Sequence, residues 1–393
     1  MLTPISNDPR DYSWGSPTLI PALEGRRPTG APEAEIWYGD HPGCPSRTPD
    51  GRTLDVALAD AGRPALPFLL KLLAAASSLS IQAHPTRAQA QEGFAREERA
   101  GIPRDAADRL YRDDNHKPEI IVALSDRFRA LVGLRPLAET RRFLSVLAAT
   151  GDDVPAGVAQ LQSRLAVDDD GPAAERALRD VLAWALDEAD AATVASVAAA
   201  LDAAADTGET EFADEIAVLR AAASDFPGDG GLIVALLMNL VTLRRGEGLF
   251  APAGVLHAYQ SGLGVELMAA SDNVMRGGLT PKHVDVPELL HVLDATPAPA
   301  PVIRPRPLAD GVDVYDTPVD DFLLERVTVT VAGDTVRVAV HGPTIALCTV
   351  GEVVVAGAFD SAALRPGAAV HIADEDAVEV SGTGELFLAQ PGS

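Results

Sequence analysis

Residues 137–223 are written almost wholly in Ala, Leu, Val, Asp and Glu, with Pro155 and Pro172 as the prolines that interrupt them. Ala is the strongest helix former, and apolar residues recur here at intervals of three and four, as in Leu178, Val181, Leu182 and Leu186. This stretch predicts several packed helices, and it holds neither histidine nor lysine, so its expected role is scaffold or lid. Both flanks differ in texture. Residues 1–65 are rich in Gly and Pro with short apolar runs, and the β-branched run 120–124 reads as a buried strand. Residues 87–100 read as a charged helix, and a further short helix is expected near 287–293. Beyond a five-proline stretch at 296–307, which reads as a stiff linker, runs such as Val327-Thr-Val-Thr-Val and Thr335-Val-Arg-Val alternate with period two between Gly-containing turns. The fold class expected is mainly β with a helical insertion: a β domain from 1–135 and 226–295, a helical domain from 136–225, and a C-terminal β-sandwich or barrel from 308–393.

The formal charge of −25 repels nucleic acid and anionic membranes and argues against both as partners. An anionic substrate would need a local basic pocket. Two cysteines more than three hundred residues apart form no metal or redox pair, no apolar run is long enough to span a bilayer, and the first residues carry no export signal. A cytoplasmic monomer is the expectation. Arginine has taken over nearly every basic position: of 32 basic residues only Lys71, Lys117 and Lys282 are lysines. Lysine is a compact ammonium whose proton affinity moves when it is desolvated, so the three retained ones point to point-charge or proton-transfer roles.

The segment from Gly246 to His257 has the spacing G-x5-P-x-G-x2-H, through Pro252 and Gly254. This resembles the second motif of a cupin (jelly-roll) barrel, which implies a tight turn that delivers a histidine into the barrel mouth as a metal ligand; Ser261 stands where an Asn is usual. Cupins normally offer His-x-His in the first motif, because residues two apart on a strand share a face. Here the pair is Gln82-Ala-His84, one histidine being replaced by an amide. Glu119 follows Pro118, which biases Lys117 to an extended conformation and leaves Lys117 and Glu119 facing the same way. Gln82, His84, Glu119 and His257 together offer two nitrogens and two oxygens, a set suited to Lewis acid chemistry. Zinc is the first choice, with manganese, cobalt or ferrous iron admissible on ligand type.

These blocks, together with Tyr12-Ser-Trp14-Gly, Ala34-Glu35-Ile-Trp37, Asp114-Asn-His116-Lys117-Pro-Glu119 and the run from Gly264 to Asp285 that contains Asp272, Arg276 and Lys282, resemble the type I phosphomannose isomerases. The resemblance implies one zinc ion on the four ligands above and an active-site arginine at Arg276. It implies interconversion of mannose 6-phosphate and fructose 6-phosphate. That chemistry moves a proton between C1 and C2 and builds charge on two vicinal oxygens, a cis-enediolate, which a metal ion and a guanidinium can stabilise. For the phosphate, Lys71, Lys282 and Ser80 are the candidates, with Glu266 and Tyr259 left to grip hydroxyls. Lys117, His116 and Asp272 are candidates for ring opening or proton transfer, with metal-bound hydroxide as a competitor. The alternative function is a non-catalytic, metal-binding sensor of sugar phosphates. His341 and His371 have no ligand-spaced partner, so the C-terminal domain is expected to hold no metal.

Overall fold

A computed structural model describes residues 1–208 and 210–392. It contains two large antiparallel sheets with a block of helices set against one of them. The ten-stranded sheet carries the candidate site. Its main path runs through Met275–Arg276, Gln82–Ala83, His257–Ala269, Glu119–Ala123, Gly248–Ala251 and Val302–Ile303. Glu35–Tyr38, Phe68–Ala75, Phe128–Leu134 and Met238–Leu243 branch from that path, and the ladder does not close on itself as a continuous barrel. The 13-residue strand His257–Ala269 is its spine, pairing with strands from both halves of the catalytic region.

The strong local signals hold. The charged helix is Arg87–Ala100, opened by a capping box in which the Thr86 hydroxyl accepts from the Gln89 amide while the Gln89 side chain accepts from the Thr86 amide. The short helix is Val286–Val292, capped by Asp285. The helical block begins at Leu137–Ala148 and runs to Ala213–Asp225. A further helix, Gly231–Leu237, carries it past the expected boundary, and the apolar run then turns into the strand Met238–Leu243. No helix among the described residues is long and apolar enough to cross a membrane.

Two boundaries differ from expectation for the same reason: backbone hydrogen bonding across a sheet edge is invisible in local composition. Leu2–Ile5 is not part of the catalytic sheet but pairs with Ala369–Ile372 in the nine-stranded C-terminal sheet. The proline-rich stretch, expected as a stiff linker, also joins a sheet, since Val302 and Ile303 pair with Leu249 and Gly248 and so extend the catalytic sheet. The two sheets share one apolar layer, in which Leu70, Val265 and Leu267 meet Tyr315, Leu347 and Phe387. Each such side chain contributes about 1.5–3 kcal/mol on full burial, which fixes the C-terminal sheet against the back of the site.

Candidate metal centre and substrate cleft

Strand register brings the four expected ligands to one place. Gln82 sits opposite His257 on one side and opposite Arg276 on the other. Glu119 begins a strand paired with the far end of the same spine. The turn before His257 is tied to the other histidine, because the Gly254 amide donates to the His84 carbonyl at 2.8 Å.

His84, Glu119 and His257 are buried, with ligand atoms within 4.8 Å of one another. The His84 Nδ1 faces the Asn273 carbonyl at 2.7 Å and the His257 Nδ1 faces the Val255 carbonyl at 3.1 Å. A carbonyl only accepts, so each Nδ1 carries the proton and each Nε2 presents a lone pair. Those lone pairs point at the Glu119 carboxylate, 3.3 Å from Oε1 and Oε2 respectively, and the His84 Nε2 has no hydrogen-bond partner among the described residues. Gln82 donates its amide nitrogen to Ser80 Oγ at 3.1 Å, which leaves the amide oxygen free as a ligand. Acceptors converging without a proton between them fit a cation. Burial, reinforced by the Lys117 charge, pushes His84 down to about 4, so the imidazole is neutral and ready to ligate. Glu119 is held well below the usual carboxylate range: burial opposes its charge, but the Lys117 ammonium, 2.7 Å from Oε1, leads the groups that favour it.

The charge balance agrees. Around a chamber of about 60 Å³ lined by Gln82, Glu119, His257 and Tyr259, three buried carboxylates, Glu35, Glu119 and Glu266, face two buried lysines, Lys71 and Lys117. A divalent ion reverses that deficit, and buried charge of one sign is costly when left uncompensated.

Glu266 reaches this chamber through an irregularity. It lies nine residues after His257, an odd spacing that would place it on the opposite face of a regular strand. Between them the pairing with Phe128–Leu134 shifts register, and Gly262 adopts φ +122°, a conformation that side chains disfavour. The slip changes the phase, so His257, Tyr259 and Glu266 line one chamber.

The chamber opens into a cleft of about 610 Å³ that also takes in Trp14, Trp37, Asp272, Arg276 and Lys282. Here the candidates separate. Lys117 Nζ lies 2.7 Å from Glu119 Oε1 and lines both spaces. Asp272 lines the cleft and accepts from His41 at 3.1 Å; burial opposes its charge, but His41 leads the groups that bring it below the ordinary range. His116 does not line the cleft. Its Nε2 lies 2.7 Å from Asp321 of the C-terminal domain and 2.8 Å from Arg87, so it faces away from Lys117, its neighbour in sequence.

Lys71 also departs from expectation. Its Nζ is 3.0 Å from Glu266 and 3.7 Å from Glu35, and it lies over the Trp37 ring at 5.1 Å. Burial opposes its charge, but Glu266 and Glu35 raise its proton affinity well above the ordinary value. A lysine clamped between two carboxylates has little charge left for a phosphate. Arg276 and Lys282 at the cleft have no ion pair among the described residues, and both are lowered, by burial first and then by like charge, Arg112 acting on each. Ser80 lines both spaces. Sequence reasoning left out Glu35, His41 and Arg112. Glu35 stands two residues before Trp37 on one strand, so a period-two reading could have found it.

The whole chain bears comparison with known proteins. The description "Phosphomannose isomerase type I, catalytic domain" matches residues 2–137. The mannose-6-phosphate isomerase of Salmonella typhimurium is 35% identical over 403 residues, covering 97% of each chain. The chain belongs to the type I phosphomannose isomerase family. The Bos taurus mannose-6-phosphate isomerase is 31% identical, with 83% of this chain covered and 82% of that one. A crystal structure of the Salmonella typhimurium enzyme bound to substrate fructose 6-phosphate and zinc superposes with a TM-score of 0.86 at 33% identity, over 100% of both chains. The likeness therefore extends through the helical block and the C-terminal sheet.

Proposed function

We propose that this chain interconverts mannose 6-phosphate and fructose 6-phosphate, with Gln82, His84, Glu119 and His257 holding one zinc ion. The observation that carries the reading is the His84, Glu119 and His257 cluster at the inner end of a cleft whose outer part carries Arg276 and Lys282, neither with an ion pair among the described residues. Zinc bound there supplies Lewis acid charge opposite the two vicinal oxygens of an open-chain sugar. Arg276, across the strand pair from Gln82, faces the charge that develops on those oxygens, and Lys282 grips the phosphate. Lys117 and Asp272 line the cleft and can hold or move a proton there, whereas His116 is turned toward Asp321. Tyr259 and Glu266 bound the chamber where hydroxyls would lie, and Lys71 pairs with Glu266 and Glu35 and holds them in place.

The chain acts as a cytoplasmic monomer on a small-molecule substrate. Its two cysteines are free, in keeping with a reducing compartment, and a light-scattering mass near 41 kDa checks the oligomeric state. Turnover of mannose 6-phosphate by the purified protein, lost on chelation and restored by zinc, tests the function. Zinc binding with no turnover would favour the sensor instead.

A further inference from the structure

The loop that follows Arg276 is held from two sides. On one, the Gly277 amide donates to the Ile81 carbonyl at 2.8 Å and the Ile81 amide donates to the Gly278 carbonyl at 3.1 Å, next to the ligand Gln82. On the other lies the segment that leaves the last long insertion helix, Ala213–Asp225. Asp225 and Phe226 line the cleft itself. Four residues on, the Asp229 carboxylate makes a bridge: Oδ1 accepts from the Gly231 amide at 2.7 Å and Oδ2 accepts from the Thr280 amide at 3.1 Å. The two backbones are in direct contact, since a Cβ on Gly278 would overlap Gly231 and a Cβ on Gly231 would overlap Leu279.

The loop cannot hold this shape by itself. Gly278 has φ +104°, and Leu279, which is not glycine, has φ +53° in the left-handed region. A side chain stays in that region only where surrounding contacts fix it. The loop also carries two cations, Arg276 at its start and Lys282 at its end, with no ion pair among the described residues to hold them together. Their mutual repulsion favours splaying when no anion is bound.

We propose that Asp229 is a positioning residue: by clasping Thr280 to the end of the helical insertion, it sets Arg276 and Lys282 at the separation that receives a sugar phosphate. This rests on the reading above that these two side chains meet the substrate. It also gives the helical insertion a part in substrate affinity, since the segment it delivers is one half of the clasp. Asp229 itself touches no reacting atom; it acts through the loop.

The test uses zinc-loaded full-length protein and three variants, Asp229→Ala, Asp229→Asn and Gly278→Ala. The measurements are kcat and KM for mannose 6-phosphate, competition by inorganic phosphate, zinc content, and amide hydrogen exchange across residues 277–283. Asp229→Ala is expected to raise KM about tenfold and weaken phosphate competition to match, with kcat falling about tenfold as Arg276 shifts and zinc at about one ion per chain. Exchange at 277–283 should accelerate while peptides around 82–84 stay protected. Gly278→Ala should move KM and exchange in the same direction by separating the two backbones. Asp229→Asn keeps the shape and one acceptor, so about a threefold rise in KM is expected, and it replaces Asp229→Ala if that variant is insoluble. Parental KM and parental exchange in either Asp229 variant overturn the proposal, as does loss of zinc and kcat together. Failure of the parent to isomerise mannose 6-phosphate would defeat the function proposed above but not the clasp, which the exchange arm tests alone.

Discussion

His84 in the catalytic sheet and His371 in the C-terminal sheet carry one local signature. Each is buried, each has an Nε2 with no hydrogen-bond partner among the described residues, and burial pushes each down to about 4. Their company differs. His84 faces a carboxylate and a second imidazole, whereas Arg63 and the terminal ammonium of Met1 add positive charge near His371, with Asp374 opposing them. An orphaned buried imidazole is therefore a ligand only where other lone pairs converge on it, and elsewhere it is a neutral side chain that packing keeps dry.

The largest effect expected from breaking this contrast is at the metal centre. His257→Ala should take zinc from about one ion per chain to none and abolish turnover with it, read by metal analysis and a coupled assay. His371→Ala should leave zinc in place and turnover within about twofold. Full metal occupancy in a His84→Ala/His257→Ala double variant would erase the distinction.

Arg276→Ala is expected next. It should keep zinc and fold while kcat falls on the order of a hundredfold, the scale of losing one donor to a developing oxyanion. A raised KM with parental kcat would make Arg276 a ground-state phosphate clamp.

The two lysines sharpen the contrast between interior and mouth. Lys71→Met leaves Glu35 and Glu266 buried without their cation, and stability should drop by about 3–5 kcal/mol, measured by denaturant melts. Lys282→Met removes an exposed charge: KM for mannose 6-phosphate should rise about tenfold with stability nearly unchanged. The reverse pattern would restore Lys71 as the phosphate ligand.

The smallest effect is a pH dependence in the C-terminal sheet. The His371 folded value of about 4 lies below the ordinary 6.5, so between those values the unfolded chain binds the extra proton. Its contribution to stability is complete above pH 6.5, declines as pH falls toward 4 by at most on the order of 3 kcal/mol, and changes no further below that. His371→Leu should flatten this part of the curve in thermal melts at pH 4.5 to 7, with activity untouched. An unchanged slope would show that His371 titrates as an exposed histidine does.

What could be read in advance was whatever is local along the chain. The tight turn through Pro252 and Gly254, the Gln82-Ala-His84 pair and Glu119 after Pro118 are each set by a few neighbouring residues, so the proposed ligand set could be named from them. The helix Arg87–Ala100 carries its own cap and was placed to the residue. Side-chain direction was less legible. Lys71 and His116 were named for their neighbours in sequence, but their partners Glu35, Glu266 and Asp321 come from other elements, the last 205 residues away. Glu266 had the wrong parity for the chamber until the slip near Gly262 corrected it. The strand at 2–5 and the pairing at 302–303 gave no local sign, because what makes them strands is an edge supplied by another part of the chain.

That strand at 2–5 has a consequence for synthesis. Leu2 is paired with Ile372, so a segment made early completes a sheet whose other strands are made much later. At roughly 5–20 residues per second, it waits tens of seconds for its partner. During that interval it is an unpaired apolar strand, and the half-built C-terminal sheet later exposes the matching edge. Production of this chain should therefore be limited by how well that early segment is shielded while translation continues, more than by the metal centre that the finished molecule is built around.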